Sequence, residues 1–189
     1  MVALAAAVAI GMAFAAALAA GSGRAPVPSP APAVRAALSV ADQVDIYASI
    51  LAKLAGATPL SAMTTRPILV SRTILDTCLL PRGVPCRRHD VGRMAPELEK
   101  SLRAALDRLG LEAIFVDDAG DRPTPAVLDA RNNFIDEMYV VHEIVFDSAG
   151  VLAADGETHR GNYGDGERFR FSRINRRWSQ TGITLLWIT

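Results

Sequence analysis

A surplus of charge is the first thing this chain lacks: 20 acidic side chains balance 20 basic ones. Without an excess of one sign there is no electrostatic case for nucleic acid or for an anionic membrane surface. Histidine and cysteine are scarce, with three and two copies in 189 residues. G-x-S-x-G, H-E-x-x-H, a P-loop and a strand-borne G-x-G-x-x-G are all missing. Each absence removes an argument for a serine hydrolase, a zinc protease, a nucleotide hydrolase or a dinucleotide enzyme. Gly161, Gly164 and Gly166 have the wrong spacing for a dinucleotide, and no helix follows them. No cofactor is expected.

What is present begins with a long apolar run. Residues 2–20 hold no charged or polar side chain, a length that spans a bilayer at roughly 20 residues. Alanine dominates, and Ala17-Leu18-Ala19 forms an A-x-A cleavage site before Ala20. Residues 1–20 therefore read as a signal peptide, or as an N-terminal anchor if uncut, since no basic side chain precedes the run. Residues 21–37 are rich in Pro and Ala, which favours extended tethers rather than a core. The remaining span, 38–189, is the size of one domain. Export to the periplasm or the medium follows, with membrane contact only through the leader if it stays.

The cysteines suit that compartment. Cys78 and Cys86 flank a turn-rich stretch with two prolines and a glycine, and an even count in an oxidising space favours a disulfide. In the chain-entropy account, closing so short a loop stabilises by roughly 2–3 kcal/mol. The spacing is not C-x-x-C, and with His89 it matches no zinc pattern.

Two helices are predicted. Ser39 is placed as an N-cap with Asp42 in the first turn, and Val40, Val44, Tyr47, Leu51 and Leu54 recur at helical spacing before Gly56. Pro96 opens the second, with Leu98, Leu102, Ala105, Leu106 and Leu109 as its stripe and Gly110 as its stop. Residues 67–75 and 112–116 read as strands. The last third reads as hairpins: 138–146, a turn at 147–150, 151–159, a Gly-rich bend at 161–166, 167–174, a turn at Asn175-Arg176-Arg177, and 178–188. The fold class is α+β: two amphipathic helices packed on a curved, mainly antiparallel sheet that ends in a C-terminal β-meander.

The tail also resembles small exported bacterial proteins of unknown function. The likeness runs from Val141-His142-Glu143 through Gly161, Gly164 and Gly166 to Arg176-Arg177-Trp178 and Trp187. In layout the chain resembles the cystatin-like and nuclear-transport-factor-like folds. Those folds host enzymes and binding domains alike, so the likeness implies architecture and no activity.

Few residues carry candidate chemistry. With a four-residue turn at 147–150, Phe146 faces Val151, Val140 faces Glu157, and His142 faces Asp155. A His142–Asp155 pair facing a pocket between helices and sheet would serve as a general base in a small-ligand-binding or hydrolytic enzyme. His142, His159, Asp155 and Glu157 hold donors of metal-ligand type, but their spacing along the strands assembles no set, so no metal is expected. Arginines cluster at Arg82, Arg87 and Arg88, where forked guanidinium groups suit carboxylates or phosphates. Along Arg168-Phe169-Arg170-Phe171, strand alternation sends the phenylalanines inward and the arginines to solvent. The favoured expectation is an exported cell-envelope domain that works by binding an envelope protein or anionic ligand, or by assembly, rather than by catalysis.

Overall fold

A computed structural model describes residues 34–56, 67–77, 89–117, 127–128, 134–135, 137–147, 149–160 and 163–188. All of them fall within the compact unit Ala31–Thr189. The leader, Cys78, Cys86, Arg82, Arg87 and Arg88 lie outside the described residues.

Helix α1 spans Val40–Leu54 and starts as its sequence dictates. The Ser39 hydroxyl accepts from the Asp42 N–H at 3.1 Å and donates to the Asp42 carboxylate at 2.7 Å. The Trp178 indole N–H also donates to that carboxylate, at 2.9 Å, tying the helix start to the last strand. The bond from Ser39, with help from Trp178 and Arg173, holds the Asp42 carboxyl below the usual range. The buried face of α1 is wider than the predicted stripe. Ile46 and Ile50 are fully buried and Val44, Tyr47 and Leu51 are buried with them, because α1 packs against both the sheet and the second helix. Val40, in the first turn, is exposed instead.

Helix α2, Pro96–Arg108, buries Leu98, Leu102, Ala105 and Leu106. Each such side chain contributes about 1.5–3 kcal/mol when fully buried. Leu109, expected in that stripe, is the C-cap and is exposed, because the helix ends one residue before it. Gly110 then takes φ 76°, the left-handed turn that closes a helix end without a Cβ clash.

The strands are β1 (Val34–Arg35), β2 (Ile68–Leu75), β3 (Asp90–Arg93), β4 (Ala113–Val116), β5 (Val127–Leu128), β6 (Phe134–Ile135), β7 (Glu137–His142), β8 (Val145–Phe146), β9 (Leu152–Arg160), β10 (Tyr163–Ile174) and β11 (Arg177–Ile188). Nine of them form one sheet, and β5 pairs with β6 in a separate hairpin. The long pairings β7–β9, β9–β10 and β10–β11 are antiparallel. β2 runs parallel to both β4 and β7, and its second half pairs antiparallel with β3. The α+β class is therefore the observed one, with both helices on one side of a mostly antiparallel sheet.

Several local expectations change. Val34 and Arg35, inside the expected tether, form β1 against β8. β3, β5 and β6 have no clear period in the sequence. Of the Gly-rich segment expected as a loop or bulge, residues 163–166 open β10, with a register shift against β11 between Gly166 and Glu167, and Gly164 and Gly166 sit in the ladder beneath the Trp187 ring. A Cβ on Gly166 would run into that indole, and one on Gly164 would come within 2.6 Å of the Thr158 carbonyl. Glycine here makes room for an aromatic rather than breaking a strand. The final turn is the two-residue Asn175-Arg176, both at positive φ, as a tight hairpin requires.

The helices are seated by two features. On β9, a Cβ at Gly156 would lie 2.6 Å from Ile50 Cγ2 and 3.0 Å from Leu54 Cδ1, so α1 packs against bare backbone. Farther along the same face, Arg72 of β2 grips Glu99 of α2 through two bonds of 2.8 and 3.2 Å. Arg103 bonds the same carboxylate and stacks over Phe115. Arg72, and then Arg103, hold the Glu99 carboxyl below its ordinary range.

Two outcomes follow. Gly156→Ala pushes on α1 from below and is expected to lower urea-unfolding stability by about 1–3 kcal/mol. An unchanged midpoint would mean that α1 does not sit where described. Because its folded-state pKa is depressed, Glu99 contributes stability above its unfolded value, about pH 4.3, and loses it as pH falls further. The stability gap between the native chain and Glu99→Gln should be widest near neutrality and close toward acid. A gap constant across pH would exclude this ion pair as its source.

Candidate functional site

Strand parity decides where the polar residues go. On β7, Tyr139 and Val141 belong to the core shared with the helices, whereas Met138 and Val140 join Leu69 in a separate cluster on the opposite face. His142, two residues past Val140, shares that opposite face. On β9, Gly156 faces α1, so Asp155 and Glu157 point away from it. The candidate polar pair thus lies on the helix-distal face, not in a pocket between helices and sheet. That face is closed: His142 is 0% exposed, and Asp155 and Glu157 are each 1% exposed.

The register brings His142 to a different carboxylate. Val140 pairs with Glu157 as expected, and Val141 with Gly156. Beyond the turn, however, Phe146 pairs with Leu152 rather than Val151. The Asp147 carboxylate accepts from the N–H groups of both Ala149 and Val151, which lengthens the turn by one residue. A compensating extra residue occurs at the break after β7, where three residues, His142 to Ile144, face Ala154 and Asp155. His142 therefore leaves the β9 ladder and pairs with Leu75 of β2.

Asp155 is committed elsewhere. It stands directly opposite Arg168 of β10 and takes a two-pronged grip from it, Nε to Oδ1 at 2.8 Å and Nη2 to Oδ2 at 3.0 Å. Arg168, expected in solvent, is only 6% exposed. The alternation itself holds, since Phe169 and Phe171 are buried on the helix side. What the sequence pattern could not show is that the other face is also closed. Arg173 and Arg176 do reach the exterior.

Glu157, read from the sequence only as facing Val140 and as a metal-type donor, is the carboxylate that meets His142. One carboxylate oxygen lies 2.8 Å from His142 Nε2, off the line of a straight hydrogen bond, and the other bonds His159 Nε2 at 2.8 Å. His142 Nδ1 lies 2.8 Å from the Asp76 carbonyl oxygen. A carbonyl only accepts, so His142 carries a proton on Nδ1. Across the sheet the chain runs Asp76 carbonyl, His142, Glu157, His159. It is sealed at the first imidazole and 36% exposed at the last side chain. The Trp187 ring stands beside His159, with centroids 6.1 Å apart. The clue available in the sequence was Val140 facing Glu157, one pair from His142.

The chain matches no family model, no curated protein and no solved structure. Its geometry has to be read by itself. Among the described residues no group of His, Cys, Asp and Glu is arranged to hold a metal. A half-open cleft of about 240 Å³ lies between the approach to α1, β3 and the break after β7, lined by Leu38, Gln43, Ile74, Val91, Arg93 and Ile144 among others. His142 and Asp155 are not part of its lining. Arg93 at this cleft is engaged with Asp117.

The Asp155–Arg168 pair makes a sharp test. Removing one partner strands a buried charge, which typically costs 3–5 kcal/mol. Asp155→Ala and Arg168→Met should each lose about that much in denaturant unfolding, and the double variant should lose clearly less than their sum. Additive losses would mean the two side chains do not depend on one another.

Proposed function

We propose that this chain is an exported domain of the cell envelope that works by binding or assembly rather than catalysis. Its contact element is the basic stretch around Arg82, Arg87 and Arg88, and its partner presents carboxylates or phosphates. One observation carries the reading: the groups best suited to acid–base chemistry are spent inside the fold. His142 is fully buried with Nδ1 held by a backbone carbonyl, and Asp155 is held by Arg168. A general base needs substrate within hydrogen-bond reach, and the described cleft lies elsewhere.

The apolar leader and the Pro-rich stretch behind it support export and display away from a surface. Three arginines within seven residues suit forked contacts with an anionic partner. The residues flanking the stretch support a presenting role. The Asp76 N–H donates to the His89 carbonyl at 2.9 Å, and the His89 N–H donates to the Asp76 carboxylate at 2.7 Å, closing its base.

A photo-crosslinking residue at Val84 of the full chain tests this in the native cell. Discrete adducts are expected, lost when Arg82, Arg87 and Arg88 are changed to Glu; the same label at Lys100 on α2 should give none. Equal labelling at both positions, or adducts insensitive to charge reversal, would remove the contact element. Turnover of a small ester or phosphoester that disappears in a folded His142→Gln variant would restore the catalytic reading.

A further inference from the structure

A sheet edge exposes a row of backbone donors and acceptors, and proteins blunt such edges with short strands, charges, prolines or coverings. Three edge strands of this sheet are blunted in that way. β1 has two residues, and β3 has four, with Asp90 and Arg93 at its ends. β4 has four, and its Ala113 carbonyl accepts from Arg103 of α2. β11 is different. It runs for 12 residues, pairs with β10 on one side, and meets no described strand on the other. After Arg177 it holds no charged residue and no proline. Ile183 and Ile188 are 37% and 69% exposed along it. Two bulges against β10 set off Thr181 and Leu186, and between them residues 182–185 pair without interruption.

Charge is sorted along the β10–β11 hairpin. Arg173, Arg176 and Arg177 are exposed at its turn end. At the opposite end Asp165 and Glu167 stand on β10 across from Ile188 and Leu185 of β11. Burial, and then Asp165, push the Glu167 carboxyl above its ordinary range. Asp165 Oδ1 is buried with no hydrogen-bond partner among the described residues. That end is short of positive charge, and a second copy supplies it. A twofold axis perpendicular to the sheet reverses the strand direction and keeps the helices of both copies on one side. It lays each basic end beside the acidic end of the other copy, while the uncharged middle of β11 meets itself. Parallel pairing would instead set the arginine ends side by side.

We propose that two copies of this chain join edge to edge through antiparallel pairing of β11, centred on Ile183, into one continuous sheet. Gly182 of one copy faces Thr184 of the other, and Ile183 faces its own equivalent. Main-chain bonds hold the contact together, and the sorted charges set its direction. This surface goes beyond the contact element at Arg82, Arg87 and Arg88 and does not rest on it.

Two differently tagged full-length copies, co-expressed in the native cell with a photo-crosslinking residue at Gln180, test this. An adduct carrying both tags is expected, and the same label at Lys100 on α2 should give none. Ile183→Lys in both copies puts like charges face to face and should lower the two-tag adduct by roughly tenfold or more. Combining an Ile183→Lys copy with an Ile183→Glu copy should restore it, which a fold damaged by the substitution would not. The proposal is overturned by the absence of a two-tag adduct from Gln180, or by an adduct to a different protein in its place. It is equally overturned if Ile183→Lys crosslinks as well as the native chain, or if the mixed pair fails to restore the adduct. Charge reversal at Arg82, Arg87 and Arg88 should leave the two-tag adduct intact, so the contact reading and this one stand or fall separately.

Discussion

The contact of α1 with the bare backbone at Gly156 orients the rest of the domain. A side chain there would collide with Ile50, so the helix presses on β9 at a residue with nothing to offer but backbone. Once Gly156 faces the helix, strand alternation sends Asp155 and Glu157 the other way. Their charges must then be met on the far face, where Arg168 and two imidazoles meet them. The apolar core and the polar layer are two sides of one constraint on a single strand.

Burying that polar layer is a demanding choice. Replacing such pairs by apolar residues is often neutral or stabilising, while breaking one is costly. The layer gives this sheet a defined arrangement in return. Arg168 fits Asp155 only in the register that places them opposite, and Glu157 reaches His142 and His159 only if β7 and β9 pair as they do. On the helix side, the Arg72–Glu99–Arg103 contacts and the Trp178–Asp42 bond join the helices to opposite parts of the sheet. Both links use charged or polar groups, whose bonds fix position more sharply than apolar packing does.

Much of this architecture was legible in the residues. The Ser39 cap, Pro96 at a first helical turn, and the apolar periods of both helices are local signals, and the helices begin where those signals place them. Val140 opposite Glu157 was legible too, because two one-residue shifts cancel around the turn. The partner of His142 was not, since the second shift removes it from the ladder with Asp155. Glycine misled for a related reason. At 164 and 166 its role depends on a tryptophan more than twenty residues away.

The sequence by itself determined the two helices, the longer strands, the α+β class and the inward path of Phe169 and Phe171, because capping, propensity and alternation act over a few residues. Tertiary structure alone decided that the far face of the sheet is closed, that Asp155 belongs to Arg168, and that Glu157 bridges two histidines. Those outcomes depend on register shifts and burial, which are set by contacts between segments distant along the chain. No pattern within a single strand carries that information.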